Sequence, residues 1–234
     1  MTHPTARDDV PSNAFVENLR VAVYSQLAET GRVEDNDGLA ARLQAMPESV
    51  RTGLRLLHDR HDLVLDEAGS IVLGHPFATR SFGFSVMGEH TLWWGGCAWD
   101  AFAIVHLVGR ETKTLVATTC PQCRSPHAWN INRNEPPRGD QAVYFATPMA
   151  KVWDDVIHAC SNQRIFCDNR CIDEYLVTHP RLRGGARFDI ATLWHLASNW
   201  YAGRLEHGYR RREPASAASY FGQVGLTGPF WGTA

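Results

Sequence analysis

Leu63-Val64-Leu65-Asp66-Glu67-Ala68-Gly69-Ser70-Ile71-Val72-Leu73 sets two apolar runs around an Asp-Glu-Ala-Gly-Ser turn, the pattern of a β-hairpin. Its meaning depends on what precedes it. From Ala14 to about Thr30, Phe15, Leu19, Val23 and Leu27 recur at helical spacing. Asn36-Asp37-Gly38 offers a second helix start, with Leu39, Leu43 and Met46 as its apolar positions. Pro47 suits the first turn of a third helix, where a missing N–H costs nothing, and Val50, Leu54 and Leu57 follow. Three helices and a hairpin predict a winged-helix-like module over residues 14–78, after a loose, polar tail at 1–13. Its third helix carries Arg51 and Arg55, with His58, Arg60 and His61 near its end, against Glu48 and Asp59. That basic stripe is thin, so a packing or dimerisation role is favoured over DNA binding.

Downstream, residues 79–234 read as a β-rich second part, giving an α+β fold overall. Strands are expected over Phe82–Val86, Thr91–Trp94, Thr112–Thr119, Ala128–Asn132 and Gln141–Thr147, with a short extended piece from Ser161 to Phe166. Helices are expected over Asp100–Val108, closed by Gly109, then over Cys171–Thr178 and Ile190–Gly208. The expected architecture is a small mixed or antiparallel sheet with flanking helices.

Composition narrows the classes. Hydrophobic residues are 44% and charged residues 21% of 234, and the formal charge is −2, so nothing argues for a nucleic-acid or membrane partner. The start has no apolar h-region and no stretch approaches a transmembrane span, which predicts a soluble, cytoplasmic chain. Cysteines there are reduced thiols or metal ligands, and all six lie between positions 97 and 171.

Cys97 follows Gly95-Gly96 at an expected helix start, where the dipole and free N–H groups would lower its pKa. Asp100 lies one turn on. The alternative is a small buried hydrophobe followed by a capping aspartate. Cys160 stands 63 residues after Cys97. Cys120-Pro121-Gln122-Cys123 and Cys167-Asp168-Asn169-Arg170-Cys171 have the spacing of a structural zinc site and resemble a treble clef; the alternative is four unliganded thiols or secondary soft-metal traps.

Cys97-Ala98-Trp99-Asp100 is similar to the Cys-x-x-Asp segment of the alkylmercury (organomercurial) lyases, and Cys160-Ser161-Asn162-Gln163-Arg164-Ile165-Phe166 resembles the segment with their second cysteine. Cys120 matches a further family cysteine, and Trp200–Leu205 with Gly225–Trp231 resemble the tail of longer members. The pair at Cys167 and Cys171 departs from the family pattern.

The resemblance implies protonolysis of a carbon–mercury bond for mercury detoxification. Cys97 and Cys160 would hold the soft metal and Asp100 would carry the proton to carbon. Mercury(II) would be the bound product, passed to cellular thiols or a mercuric reductase, with no organic cofactor. Trp93, Trp94 and Trp99 are candidates for the apolar wall of the substrate pocket, against simple core packing. Two other readings stay open: a metal-responsive winged-helix regulator, and a lyase-like enzyme with a non-mercury substrate.

Overall fold

The computed structural model describes residues 11–233. Most of the expected tail, residues 1–10, lies outside the described residues, and the first helix begins at Asn13. Helices α1 (Asn13–Thr30), α2 (Asn36–Leu43) and α3 (Pro47–Asp59) stand where the periodicity placed them. Ser12 caps α1 by accepting from the Phe15 N–H, Asp35 caps α2 through the Gly38 N–H, and Pro47 opens α3. The hairpin follows as β1 (Val64–Leu65) and β2 (Ile71–Gly74), with Val64 opposite Leu73. Gly69 closes its turn at φ 81°, a conformation that costs a residue with a Cβ.

The sheet does not stop at the hairpin. β2 pairs with β3 (Phe77–Ala78), and the sheet continues through β4 (Phe84–Met87), β5 (Leu92–Gly95), β6 (Lys113–Thr119) and β7 (Pro126–Asn132). Its order is β1-β2-β3-β5-β4-β6-β7, with every pairing antiparallel. Between β5 and β6 runs α4 (Ala98–Leu107). Every residue of α4 from Ala98 to Val105 is buried, as suits a helix that is apolar all round. A second antiparallel sheet, ordered β10-β8-β9, combines β8 (Ala142–Phe145), β9 (Gln163–Phe166) and β10 (Ala186–Asp189). The remaining helices are α5 (Val156–Ser161), α6 (Asn169–Thr178), α7 (Ile190–Ser198) and α8 (Pro214–Gln223). The fold is mixed α+β with antiparallel sheets.

Helix α4 packs on β4–β7 on one side and against β9 and α7 on the other. One apolar core runs without interruption from Leu19 and Leu54 through Leu73 and Phe84 to Phe102, Phe145 and Leu193. A smaller cluster of Cys120, Tyr144, Phe166, Cys171, Ile172 and Leu176 lies beside it.

Three local expectations change. Helix α4 starts at Ala98 rather than Asp100, because Cys97 itself is the N-cap. Gly109 does not close it: Val108 does, in an extended conformation. The helix expected over Ile190–Gly208 ends at Ser198, and turns carry the chain from there to α8, where the apolar spacing of Trp200 and Leu205 reflects packing without helix.

Candidate active site

The strand-to-helix junction at Gly95-Gly96-Cys97 creates the site. A Cβ at Gly96 would stand 2.5 Å from Asp100 Oδ2, so only glycine lets the backbone pass so near the carboxylate. Cys97 is extended, and its Sγ turns over the helix start to accept from the Asp100 N–H at 3.4 Å. Cys160, near the end of α5, places its thiol in the same buried pocket floor as Cys97, within 4.8 Å of the Asp100 carboxylate. Asp100 is 1% exposed, which would be prohibitive for an unpaired carboxylate. Two partners hold it: His75 Nδ1–H donates to Oδ2 at 2.9 Å, and the Tyr201 hydroxyl donates to Oδ1 at 2.5 Å. The ligand atoms of His75, Asp100 and Cys160 lie within 4.8 Å of one another.

The electrostatics divide acid from thiols. Burial pushes the Asp100 carboxyl up, but attraction to His75 and the hydrogen bonds from His75, Tyr201 and Cys97 outweigh it and hold Asp100 below the usual carboxylate value. Cys97 is the reverse of the helix-start expectation. Burial, then the hydrogen bond with Cys160 and the charge of Asp100, push its thiol well above the ordinary value, and the Asp100 N–H only partly offsets this. At Cys160 the hydrogen bond with Cys97 lowers the thiol, yet burial and Asp100 together leave it raised. Burial and the neighbouring Asp100 also raise Tyr201. The resting site is two protonated sulfurs beside a charged base.

A cavity of about 1180 Å³ opens from this cluster. Cys97, Asp100, Cys160, His75 and Tyr201 line its floor, with Trp99, Trp153, Trp200 and Phe221 on its walls. Of the three candidate tryptophans only Trp99 reaches it. The Trp99 ring lies 4.7 Å from that of Trp200, and its indole N–H donates to the Leu196 carbonyl. Trp93 is instead fully buried, donating to the Leu27 carbonyl at 2.8 Å, and Trp94 is half-buried beside the core. Both sit on β5, and neither lines the cavity.

The other four cysteines gather at a second place, with all four Sγ atoms within 4.8 Å of one another. Cys120 and Cys123 come from the turn between β6 and β7, where Arg124 takes φ 64° and its N–H donates to the Cys120 carbonyl. Cys167 and Cys171 flank the start of α6, whose cap Asp168 accepts from the Cys171 N–H. Hydrogen bonding to Ser125, then to Cys167 and Cys120, brings Cys123 down to about 6, while burial pushes Cys167 up to about 11 and Cys171 up to about 12. Sulfurs so close share charge unevenly unless a cation balances them.

His75 and Tyr201 escaped sequence reasoning as site residues. They stand 25 and 101 positions from Asp100, and no spacing rule links residues that meet only through the sheet and the turn after α7. A histidine between a strand and a proline was the one available signal.

The family model described as alkylmercury lyase (MerB) matches residues 77–202, more than half of the chain. That stretch contains Cys97, Asp100, Cys160 and Tyr201, but neither His75 nor the segment after 202. A crystal structure described as the mercury-bound form of MerB2 has a similar fold, with a TM-score of 0.62 at 14% identity, covering 84% of this chain and 93% of that chain. Among curated proteins, none matches the sequence.

Proposed function

The chain belongs to the alkylmercury lyase family, and from that premise we propose that Cys97, Cys160 and Asp100 perform the cleavage. The activity is scission of the carbon–mercury bond of an organomercurial, giving a hydrocarbon and mercury(II) in mercury detoxification. A thiolate grips mercury far better than a thiol does, so a raised Cys97 needs a base at the moment of attack. Asp100 accepts that proton as the sulfur closes on the metal. The organic group cannot depart as a free carbanion, and the proton returns from Asp100 to the carbon as the bond breaks. Cys160 supplies the second sulfur and a second proton. For R–Hg–X the sum is two thiols in, and RH, HX and a bis-thiolate mercury(II) out. His75 and Tyr201 keep Asp100 charged and aimed, which makes them positioning residues. Trp99, Trp153 and Trp200 give the organic group an apolar wall.

The observation that carries this reading is a buried Asp100 whose N–H donates to Cys97 Sγ and whose carboxylate, held by His75 and Tyr201, lies within 4.8 Å of the Cys160 thiol. The test is hydrocarbon release from phenylmercury or methylmercury in excess thiol. Release by the native protein, lost in Cys97→Ser, Cys160→Ser and Asp100→Ala, is the expected result. No release by native protein sinks the assignment.

The cysteine quartet supports a structural zinc on a treble-clef-like core. Tetrahedral zinc with Zn–S bonds of 2.3 Å sets its sulfurs about 3.8 Å apart. Cys123 and Cys167 Sγ are 3.3 Å apart and all four lie within 4.8 Å, so a small adjustment admits the ion. Cys120, Cys123, Cys167 and Cys171 would hold it, and it would tie the β6–β7 turn to α6. Residues 14–78 are read as a winged-helix-like packing module ahead of a catalytic part at 79–234. Arg51 is paired with Glu48, which argues against the regulator reading. A cytoplasmic setting, with small thiols or a mercuric reductase as acceptor of mercury(II), completes the proposal.

A further inference from the structure

The cavity is larger than its chemistry at the floor requires. Pockets for whole drug-sized ligands run to about 300–1,000 Å³, and a mercury atom with a small organic group fills only the deep end of 1180 Å³. Its outer part is lined by Arg60, Arg210, Arg211 and Arg212, none of them in an ion pair among the described residues.

Three of these guanidinium groups are held in place, Arg60 by donating to Asn13 Oδ1 at 2.9 Å. Arg211 stands 4.7 Å over the Trp153 ring and donates to the Arg60 carbonyl at 3.3 Å. Arg212 lies 4.6 Å over the Tyr220 ring and donates to the Asn199 carbonyl at 3.1 Å, while its Nε is buried without a partner among the described residues. Arg210 is exposed. Acids on the same walls are mostly committed: Glu17 to Arg20 and the Gly208 N–H, Asp100 to His75 and Tyr201. Asp62 is half-buried, and burial pushes its carboxyl up, which leaves Glu213 as the exposed acid at the rim. All four arginines lie outside the stretch that the family model matches.

Mercury chemistry says what has to pass this rim. In water that contains thiols a mercurial cation is carried as R–Hg–S–R′. Its transfer to Cys97 forms a new S–Hg bond, and Asp100 keeps the Cys97 proton for the carbon; Cys160 then replaces R′S⁻ on the metal, and R′S⁻ leaves as R′SH with the Cys160 proton. After cleavage two further R′SH displace Cys97 and Cys160 from mercury(II) and return a proton to each. Three thiols therefore visit the site per turnover, with no net redox change.

We propose that Arg60, Arg210, Arg211 and Arg212 form a subsite for the carboxylates of a small acidic thiol, which delivers the mercurial and removes mercury(II) through the same mouth. The planar fork of arginine matches carboxylate geometry. The inference rests on the lyase reading and adds the class of thiol.

The test holds phenylmercury constant and compares kcat/KM in excess mercaptosuccinate, a dicarboxylate, with that in excess cysteamine, a cation, at equal thiolate concentration. The expected preference for mercaptosuccinate is about tenfold or more at low salt, shrinking toward one in about 0.5 M sodium nitrate. Arg210→Glu, at an exposed position, lowers the ratio several-fold. Succinate, which has no thiol, inhibits the native enzyme competitively and the variant more weakly. Equal turnover with both thiols, or a preference indifferent to salt and to Arg210→Glu, overturns the subsite and leaves the lyase assignment standing. No hydrocarbon with either thiol overturns both.

Discussion

Cys97 and Cys160 are far apart in sequence, line the floor of one cavity, and share it with the carboxylate of Asp100. Cys120, Cys123, Cys167 and Cys171 come as two close pairs, meet where a turn faces a helix start, and line no part of that cavity. The ligand atom is the same in both places. Four thiolates complete a tetrahedral shell and leave a metal nothing further to do, which is the economy of a structural site. Two thiols leave coordination open, and an acid beside them can move a proton. Chemistry at a cysteine is set by its neighbours.

That contrast can be broken most directly at the floor. Asp100→Ala removes the base and should cut hydrocarbon release by about 10³-fold, within the range for a positioned general acid/base. Mercury should still bind, which a filter assay with labelled mercury(II) would detect. Equal loss of binding and release would erase the distinction between grip and cleavage. The double variant Cys97→Ser/Cys160→Ser sharpens the same point: metal-stripped protein should still take up mercury(II) through the quartet yet release no hydrocarbon.

The quartet answers to stability. Metal analysis of protein purified without chelator should find about one zinc per chain, and Cys171→Ser should lose it. With an effect of about 3 kcal/mol, Tm falls by roughly 10 °C in a chain of this size. Hydrocarbon release below the new transition should persist. If Cys171→Ser abolished release while the protein stayed folded, the two clusters would not be separate devices.

The titrations give a subtler difference. Asp100 is held below its ordinary 3.8, so its contribution to stability is present above that pH and is lost as pH falls through the folded value. Cys97 is held above its ordinary 9.0, so its contribution is present below pH 9.0 and is lost as pH rises toward the folded value. Urea midpoints across pH should fall off on both sides, and Cys97→Ser should flatten the alkaline limb. His75→Gln takes away the strongest attraction on the Asp100 carboxylate. The acid limb of kcat/KM should then move to higher pH, an effect that a merely structural histidine would not produce.

The smallest effects belong to the tryptophans. Trp99→Ala opens the cavity wall and should raise KM for phenylmercury about tenfold, the value of a well-packed aromatic contact. Trp93→Phe should leave KM alone and cost roughly 1 kcal/mol through the lost bond to the Leu27 carbonyl. Reversal of these two results would return Trp93 to the pocket.

Local signals carried much of the fold. Capping residues, Pro47 and the Asp66–Ser70 turn place α1 to β2, because each depends on neighbours a few residues away. Cys97 and Asp100 are one helical turn apart, and that too is a local fact. The failures share a cause. Trp93 and Trp94 were adjacent to the chemistry in sequence, but on a strand adjacency means opposite faces, and α1 covers Trp93. The pKa of Cys97 was misjudged because a dipole can be read from the chain, whereas burial cannot.

By itself the sequence determined α1 to α3, the hairpin and the cysteine spacing, since those rest on dihedral preferences and short-range hydrogen bonds. Through likeness to a family, it also pointed to Cys97 and Cys160 as the proposed pair. Only the tertiary structure decided that His75 and Tyr201 hold Asp100, that Trp99 alone of three reaches the cavity, and that Arg210, Arg211 and Arg212 line the same cavity. Those relations depend on which surfaces exclude water from which charges, and no one-dimensional pattern records that.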